Sequence, residues 1–100
     1  MTAATITETG KGTFLVTGDL VFSTVGALLD QAAPMFAARP EAIVDLASVD
    51  HCDSAGLVLL LDWVANAAHA GKSIRFVNLP EDLIGIARLS NAETLLPLAN

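Results

Sequence analysis

The feature that most limits the possible folds is a short apolar run in the middle of the chain, residues 42–46 (AIVDL). A run of this length, almost without polar interruption, predicts a β-strand that is covered on both faces. A helical pattern follows it, from near Asp53 to about Ala70, and Gly71 supplies a C-terminal stop signal for that helix. The centre of the chain therefore predicts an α/β arrangement.

The flanking segments continue this alternation of strands and helices. Residues 5–8 and 13–17 have strand patterns and are separated by a Gly-Lys-Gly turn, which predicts an antiparallel hairpin. Residues 73–77 predict a further strand, and a third helix begins near Pro80, a residue favoured in the first turn. The hairpin should therefore supply an antiparallel pair to a mixed sheet.

The first helix is predicted by apolar residues spaced by three and four, which are Val25, Leu28, Leu29, Ala32 and Phe36. Ser23 or Thr24 can cap this helix, and Pro34 should bend or restart it, because proline cannot donate a helical hydrogen bond. The predicted order is β-β-α-β-α-β-α, a mixed sheet with about three helices and parallel strands joined by right-handed crossovers. The loops at residues 19–24 and 49–54 should be neighbours, since both follow parallel strands at the same sheet edge.

Composition sets further limits on function. A chain of 100 residues predicts a single domain, residues 1–100, and its net charge of −6 disfavours binding to nucleic acid or to anionic lipid. One cysteine excludes an internal disulfide and a zinc site of paired thiolates. No apolar run reaches the length that spans a bilayer, so we expect a cytoplasmic protein without direct membrane insertion.

Residues 50–54 (DHCDS) form the densest cluster of reactive side chains, but their spacing does not favour catalysis. His51 and Cys52 are adjacent, so in extended chain they point to opposite sides and cannot form a nucleophile–base pair. The only other histidine, His69, lies at the far end of the following helix, so we expect no metal site and no cofactor. Ser54 lacks the Gly-x-Ser-x-Gly setting of a hydrolase nucleophile. We therefore expect no enzyme.

Asp53 and Ser54 stand where the second helix begins. The Asp53 carboxylate can cap that helix, and Ser54 is then its first residue. Two interpretations of Ser54 stay open at this point: the residue merely tolerates a helix start, or its hydroxyl meets a phosphate or a partner's acceptor.

The same segment resembles the signature of the STAS domain family, in which a strand and short loop precede Asp-Ser/Thr-x-Gly-Leu at a helix start. Here Asp45-Leu46 is followed by residues 49–57 (VDHCDSAGL), Gly18-Asp19-Leu20 resembles the earlier Gly-x-Leu element, and residues 72–77 also fit. The resemblance covers residues 13–98 and implies a STAS-like fold that acts by docking on a protein partner.

Two branches of the family compete. One is the small cytoplasmic STAS subunit of the lipid-asymmetry (Mla) ABC transporter. The chain is similar to this branch in its short length and in residues 57–61, 87–91 and 95–98. This similarity implies an ABC ATPase partner at the inner membrane. The alternative is an anti-sigma-factor antagonist whose Ser54 is phosphorylated by a partner kinase. Those antagonists usually carry Asp-Ser-Ser-Gly, whereas Ala55 stands here after Ser54.

A partner surface is predicted from the helical wheel of the second helix. Its buried stripe should consist of Leu57, Leu60, Leu61, Val64 and Ala68. The residues left outside this stripe, together with the neighbouring loop, form the predicted partner-binding set, which is Phe22, Ser23, Thr24, Ser54, Ala55, Val58, Leu59 and Trp63. Aromatic side chains carry much of the energy of such interfaces. The alternative for Trp63 and Phe22 is that they pack back onto the first helix or the sheet.

Overall fold

The computed structural model describes residues 3–99 and confirms the predicted order of elements. Its strands are β1 (Thr5–Gly10), β2 (Thr13–Leu20), β3 (Glu41–Cys52) and β4 (Ser73–Val77). Its helices are α1 (Val25–Ala37), α2 (Ser54–His69) and α3 (Glu81–Leu89), followed by a 3-10 turn, Glu93–Leu95. None of the helices in this described part is long and apolar enough to span a membrane.

The sheet has the strand order β1-β2-β3-β4 and is mixed, as predicted. β1 pairs with β2 in an antiparallel hairpin, whereas β2–β3 and β3–β4 are parallel pairs. Gly12 in the hairpin turn has a φ of 80°, a conformation that glycine adopts at little cost. Residues 97–99 add a short parallel bridge to β4, in which the Phe76 N–H donates to the Pro97 carbonyl (2.9 Å).

The helices cover only one face of this sheet. The two crossovers step in the same direction across the sheet, and right-handed crossovers in one direction place their helices on the same side. Burial in β3 alternates accordingly: Val44 is fully buried, whereas Ile43 is 39% exposed. The prediction that residues 42–46 are covered on both faces is therefore wrong.

The core lies between this face and the helices, and it contains a cluster of three aromatic rings. Phe36 from α1 makes edge-to-face contacts with Phe14 of β2 and with Trp63 of α2, each with ring centroids 5.1 Å apart. This packing holds α1, α2 and the sheet together, since large aromatic side chains bury the most apolar area.

Of the bend or restart predicted at Pro34, the restart does not occur, because α1 is one helix from Val25 to Ala37. Pro34 and Asp30 lie on its exposed side, where water can hydrogen-bond the freed carbonyl. The predicted cap is also corrected. Thr24 occupies the N-cap position but makes no side-chain cap. Its hydroxyl instead hydrogen-bonds to backbone groups of Asp19 and Val21 in the preceding turn.

Candidate functional site

The carboxyl ends of β2 and β3 bring two connections together at one edge of the sheet. Leu20 pairs with Cys52, and the Asp53 N–H donates to the Leu20 carbonyl (3.1 Å). The predicted neighbourhood is confirmed, but the connections are shorter than predicted. β3 runs to Cys52, so only Asp53 separates it from α2, and residues 21–24 alone separate β2 from α1.

The Asp53 carboxylate fixes the geometry of this edge with both of its oxygens. Oδ1 accepts from the Ala55 N–H (2.8 Å), which confirms the predicted cap of α2. Oδ2 accepts from the Phe22 N–H (3.1 Å) in the other connection. The two connections are therefore joined by one side chain as well as by the sheet.

Thr24 has a structural role, which corrects its placement in the partner-binding set. Its side chain is buried; its hydroxyl donates to the Asp19 carbonyl (2.6 Å) and accepts from the Val21 N–H (3.0 Å). These bonds hold residues 19–24 in a tight turn. A side chain engaged in this way is not available to a partner.

Ser54, by contrast, is exposed at the first position of α2. Among residues 3–99 no group hydrogen-bonds its hydroxyl. Val58 lies one turn further along the same side of α2 and is 64% exposed, and Phe22 is 86% exposed beside Asp53. Ala55 is half-buried and Ser23 is exposed. We call Phe22, Ser23, Ser54, Ala55 and Val58 the Ser54 face.

Leu59 and Trp63 do not belong to this surface, and their prediction as partner-binding residues is wrong. They are only 1% and 4% exposed, because α2 turns this side towards the sheet and α1. Of the residues predicted to be buried, Leu61 and Val64 are half-buried and Ala68 is exposed. The buried stripe is rotated by about a quarter of a turn from the predicted one, at ~100° per residue.

The surroundings of Cys52 are acidic and partly desolvated. Burial, and next to it the carboxylates of Asp82, Asp53 and Asp19, raise the pKa of the Cys52 thiol to about 11. The thiol is therefore protonated at neutral pH and is a poor nucleophile. No three metal-ligating side chains within the described residues are grouped to hold a metal ion.

Sequence reasoning placed Asp19 in the loop beside residues 49–54, but it did not bring Asp82 to this site. Asp82 belongs to the first turn of α3, which the sheet brings towards the end of β3, and Asp19 is buried near the end of β2. The convergence depends on three elements that are distant in sequence, so no local pattern marks it. Asp19, Asp53 and Asp82 therefore place three carboxylates around Cys52, next to the Ser54 face.

Comparison with known proteins agrees with this architecture. Residues 5–97 match the family model described as "Mlab, STAS domain". No curated protein sequence matches the chain.

Among solved structures the chain is similar to the unphosphorylated anti-sigma factor antagonist SpoIIAA, with 16% identity and a TM-score of 0.72 over 98% of this chain and 89% of that one. It is also similar to the phosphorylated Bacillus cell fate determinant SpoIIAA, with 15% identity and a TM-score of 0.69 over 98% and 92% of the two chains. A third similar structure, Mglu, has 22% identity and a TM-score of 0.59 over 77% of this chain and 19% of that one. At these identities the likeness concerns the fold alone.

Proposed function

Because this chain belongs to the STAS domain family, we propose that it is a non-catalytic subunit that docks on the ATPase of a phospholipid-transporting, Mla-type ABC system. In this role it regulates or stabilises the ATPase and is held at the cytoplasmic side of the inner membrane through that partner. The fold is typically a non-catalytic regulatory domain, and the description of the matching family as Mlab supports the transporter branch.

The observation that carries the proposal is the composition of the Ser54 face. Phe22 and Val58 are large apolar side chains that the fold leaves exposed, and they flank a hydroxyl that has no partner within residues 3–99. A central polar group ringed by apolar anchors is typical of a protein interface. The Asp53 bonds make this surface rigid, which lowers the entropic cost of binding.

Recovery of the ATPase tests this function directly. The tagged chain is co-expressed with the ABC ATPase, and bound ATPase is quantified for wild type, Phe22→Ser and Ser54→Ala. We expect at least a tenfold loss of affinity for Phe22→Ser, a smaller loss for Ser54→Ala, and unchanged melting temperatures, because both side chains are exposed. Leu89→Ser is the matched control, since Leu89 is 90% exposed at the far end of α3. Equal binding by Phe22→Ser and Leu89→Ser contradicts the proposed face.

The anti-sigma-antagonist alternative is favoured by one specific observation, the exposed Ser54 hydroxyl at the positive end of a 16-residue helix. In that function a partner kinase transfers phosphate to Ser54. The phosphate would add about two negative charges beside Asp53 and so weaken docking. Mass spectrometry of the recovered complex separates the two functions: a kinase together with phosphate on Ser54 supports the alternative, and an ATPase with unmodified Ser54 supports the transporter role.

A further inference from the structure

A groove lies at the opposite end of the molecule from the Ser54 face, between the C-terminal halves of α1 and α2. Its cavity volume is about 320 Å³, and its base is formed where β3 and β4 begin, at Ala42 and Ile74. Its α2 side consists of Trp63, Asn66 and Ala67, with Ala70 at the C-cap, and the last three of these lie about 20 Å along the helix from Ser54. The groove is therefore separate from the docking surface.

The groove exists because the facing positions of the two helices carry alanine. Ala33 and Ala37 line it from α1, Ala67 and the C-cap residue Ala70 line it from the α2 side, and methyl groups are too short to fill the space between. Its inner wall is formed by large apolar side chains, Leu29, Phe36 and Trp63. An aliphatic chain would cover apolar surface here that the fold itself leaves open to water.

Two cations, Arg39 and Lys72, are the only charged side chains of the lining. The whole chain has 5 Lys+Arg against 11 Asp+Glu, so two of its few cations meet at this groove. Arg39 is paired with Glu8, from whose Oε2 its Nε lies 2.7 Å away. Lys72 Nζ donates to the Ala37 carbonyl (2.6 Å), and no carboxylate within residues 3–99 forms a salt bridge with it. Its positive charge is therefore available to an anion.

We propose that this groove binds a single-chain anionic amphiphile, a medium-chain carboxylate. The aliphatic chain lies along Phe36 and Trp63, and the carboxylate meets the Lys72 ammonium. At the packing density of protein interiors, ~0.74, the groove accommodates about a dozen non-hydrogen atoms, which is the size of octanoate or decanoate. A ligand of this kind satisfies both features of the groove, its apolar wall and its unpaired cation.

The only tryptophan of the chain lies in the groove and reports on its occupancy. Purified protein is titrated with sodium octanoate below micelle-forming concentrations while Trp63 emission is followed, with octanol and octylammonium as probes of equal length. We expect a saturable change with octanoate, at least tenfold weaker binding of octanol, and still weaker binding of octylammonium. Equal affinities for the three probes, or no saturable change with octanoate, overturn the proposal.

One charge-removing variant, two groove-filling variants and two controls localise the site. Lys72→Gln should weaken octanoate binding at least tenfold, whereas Arg75→Gln, which removes a cation from the exposed face of β4, should leave it unchanged. Ala67→Phe should fill the groove and abolish binding, with circular dichroism confirming the fold. Ala33→Leu, on the α1 wall, repeats the test should Ala67→Phe fail to fold. Octanoate binding that survives the filling variants contradicts the assignment. Phe22→Ser should still bind octanoate, so the groove can be right or wrong independently of the docking function.

Discussion

Asp53 shows how a single carboxylate connects two parts of the chain. One oxygen caps α2 and the other accepts the Phe22 N–H from the neighbouring connection. The cap could be predicted from the sequence, because an aspartate before an apolar helical pattern is a common start signal. The bond to Phe22 could not, since it requires the parallel pairing of β2 with β3 to bring the two connections together.

Replacing Asp53 tests both bonds. Asp53→Ala loses the cap and the bond to Phe22 and should lower the free energy of unfolding by about 1–3 kcal/mol. Asp53→Asn should lose about half as much, because its amide oxygen can still cap α2 while its NH₂ group cannot accept from the Phe22 N–H. Urea unfolding measures both variants. A loss for Asn equal to that for Ala would mean that the charge rather than the cap stabilises the helix.

At the level of the helix, α2 explains why the partner surface was only partly predicted. Residues 57–61 (LVLLL) are all apolar, so the spacing of apolar residues allows more than one buried face. The ring of Phe36 and the sheet select the side that carries Leu59 and Trp63. Phe22, Ser54 and Val58 are exposed, as predicted. The rotation of α2 about its own axis, which decides the buried side, depends on tertiary packing.

Gly56 in the first turn of α2 gives a prediction for this element. A Cβ atom there would meet the Leu20 carbonyl oxygen at 2.8 Å and the Leu20 Cβ at 3.1 Å. Gly56→Ala should therefore destabilise the fold by about 1–3 kcal/mol, although alanine is the better helix former. It should also weaken partner binding, because the displaced Leu20 carbonyl holds the Asp53 N–H.

The matched control for this change is Gly85→Ala in α3, where an added Cβ meets nothing within 4 Å. That variant should gain about 0.5–1 kcal/mol from helix propensity alone. Thermal unfolding followed by circular dichroism distinguishes the two, and a gain at both positions would show that α2 does not press against β2 in solution.

For the whole molecule, the order of the elements and the mixed character of the sheet followed from the sequence, but the number of covered sheet faces did not. The alternation of strands and helices predicts a mixed sheet, and that prediction is confirmed. Residues 42–46 suggested a strand buried on both faces because Ile43 is as apolar as its neighbours. The right-handedness of the crossovers places both helices on one side of the sheet. Ile43 therefore lies on the opposite face, which no helix covers within residues 3–99, and is partly exposed to solvent. Apolar character in a strand thus reports strand propensity as well as burial.

Threonine substitutions at two adjacent positions of β3 measure this asymmetry. Val44→Thr buries a hydroxyl without a partner in the core and should cost about 1–3 kcal/mol in the free energy of unfolding. Ile43→Thr replaces a half-exposed side chain by another good strand former and should cost about 0.5 kcal/mol or less. Urea unfolding at low protein concentration gives both values. Equal costs at the two positions would mean that the open face is covered in solution. None of the helices within residues 3–99 covers this face, so we would then expect a second copy of the chain to do so. Sedimentation would then show a dimer whose stability rises with protein concentration.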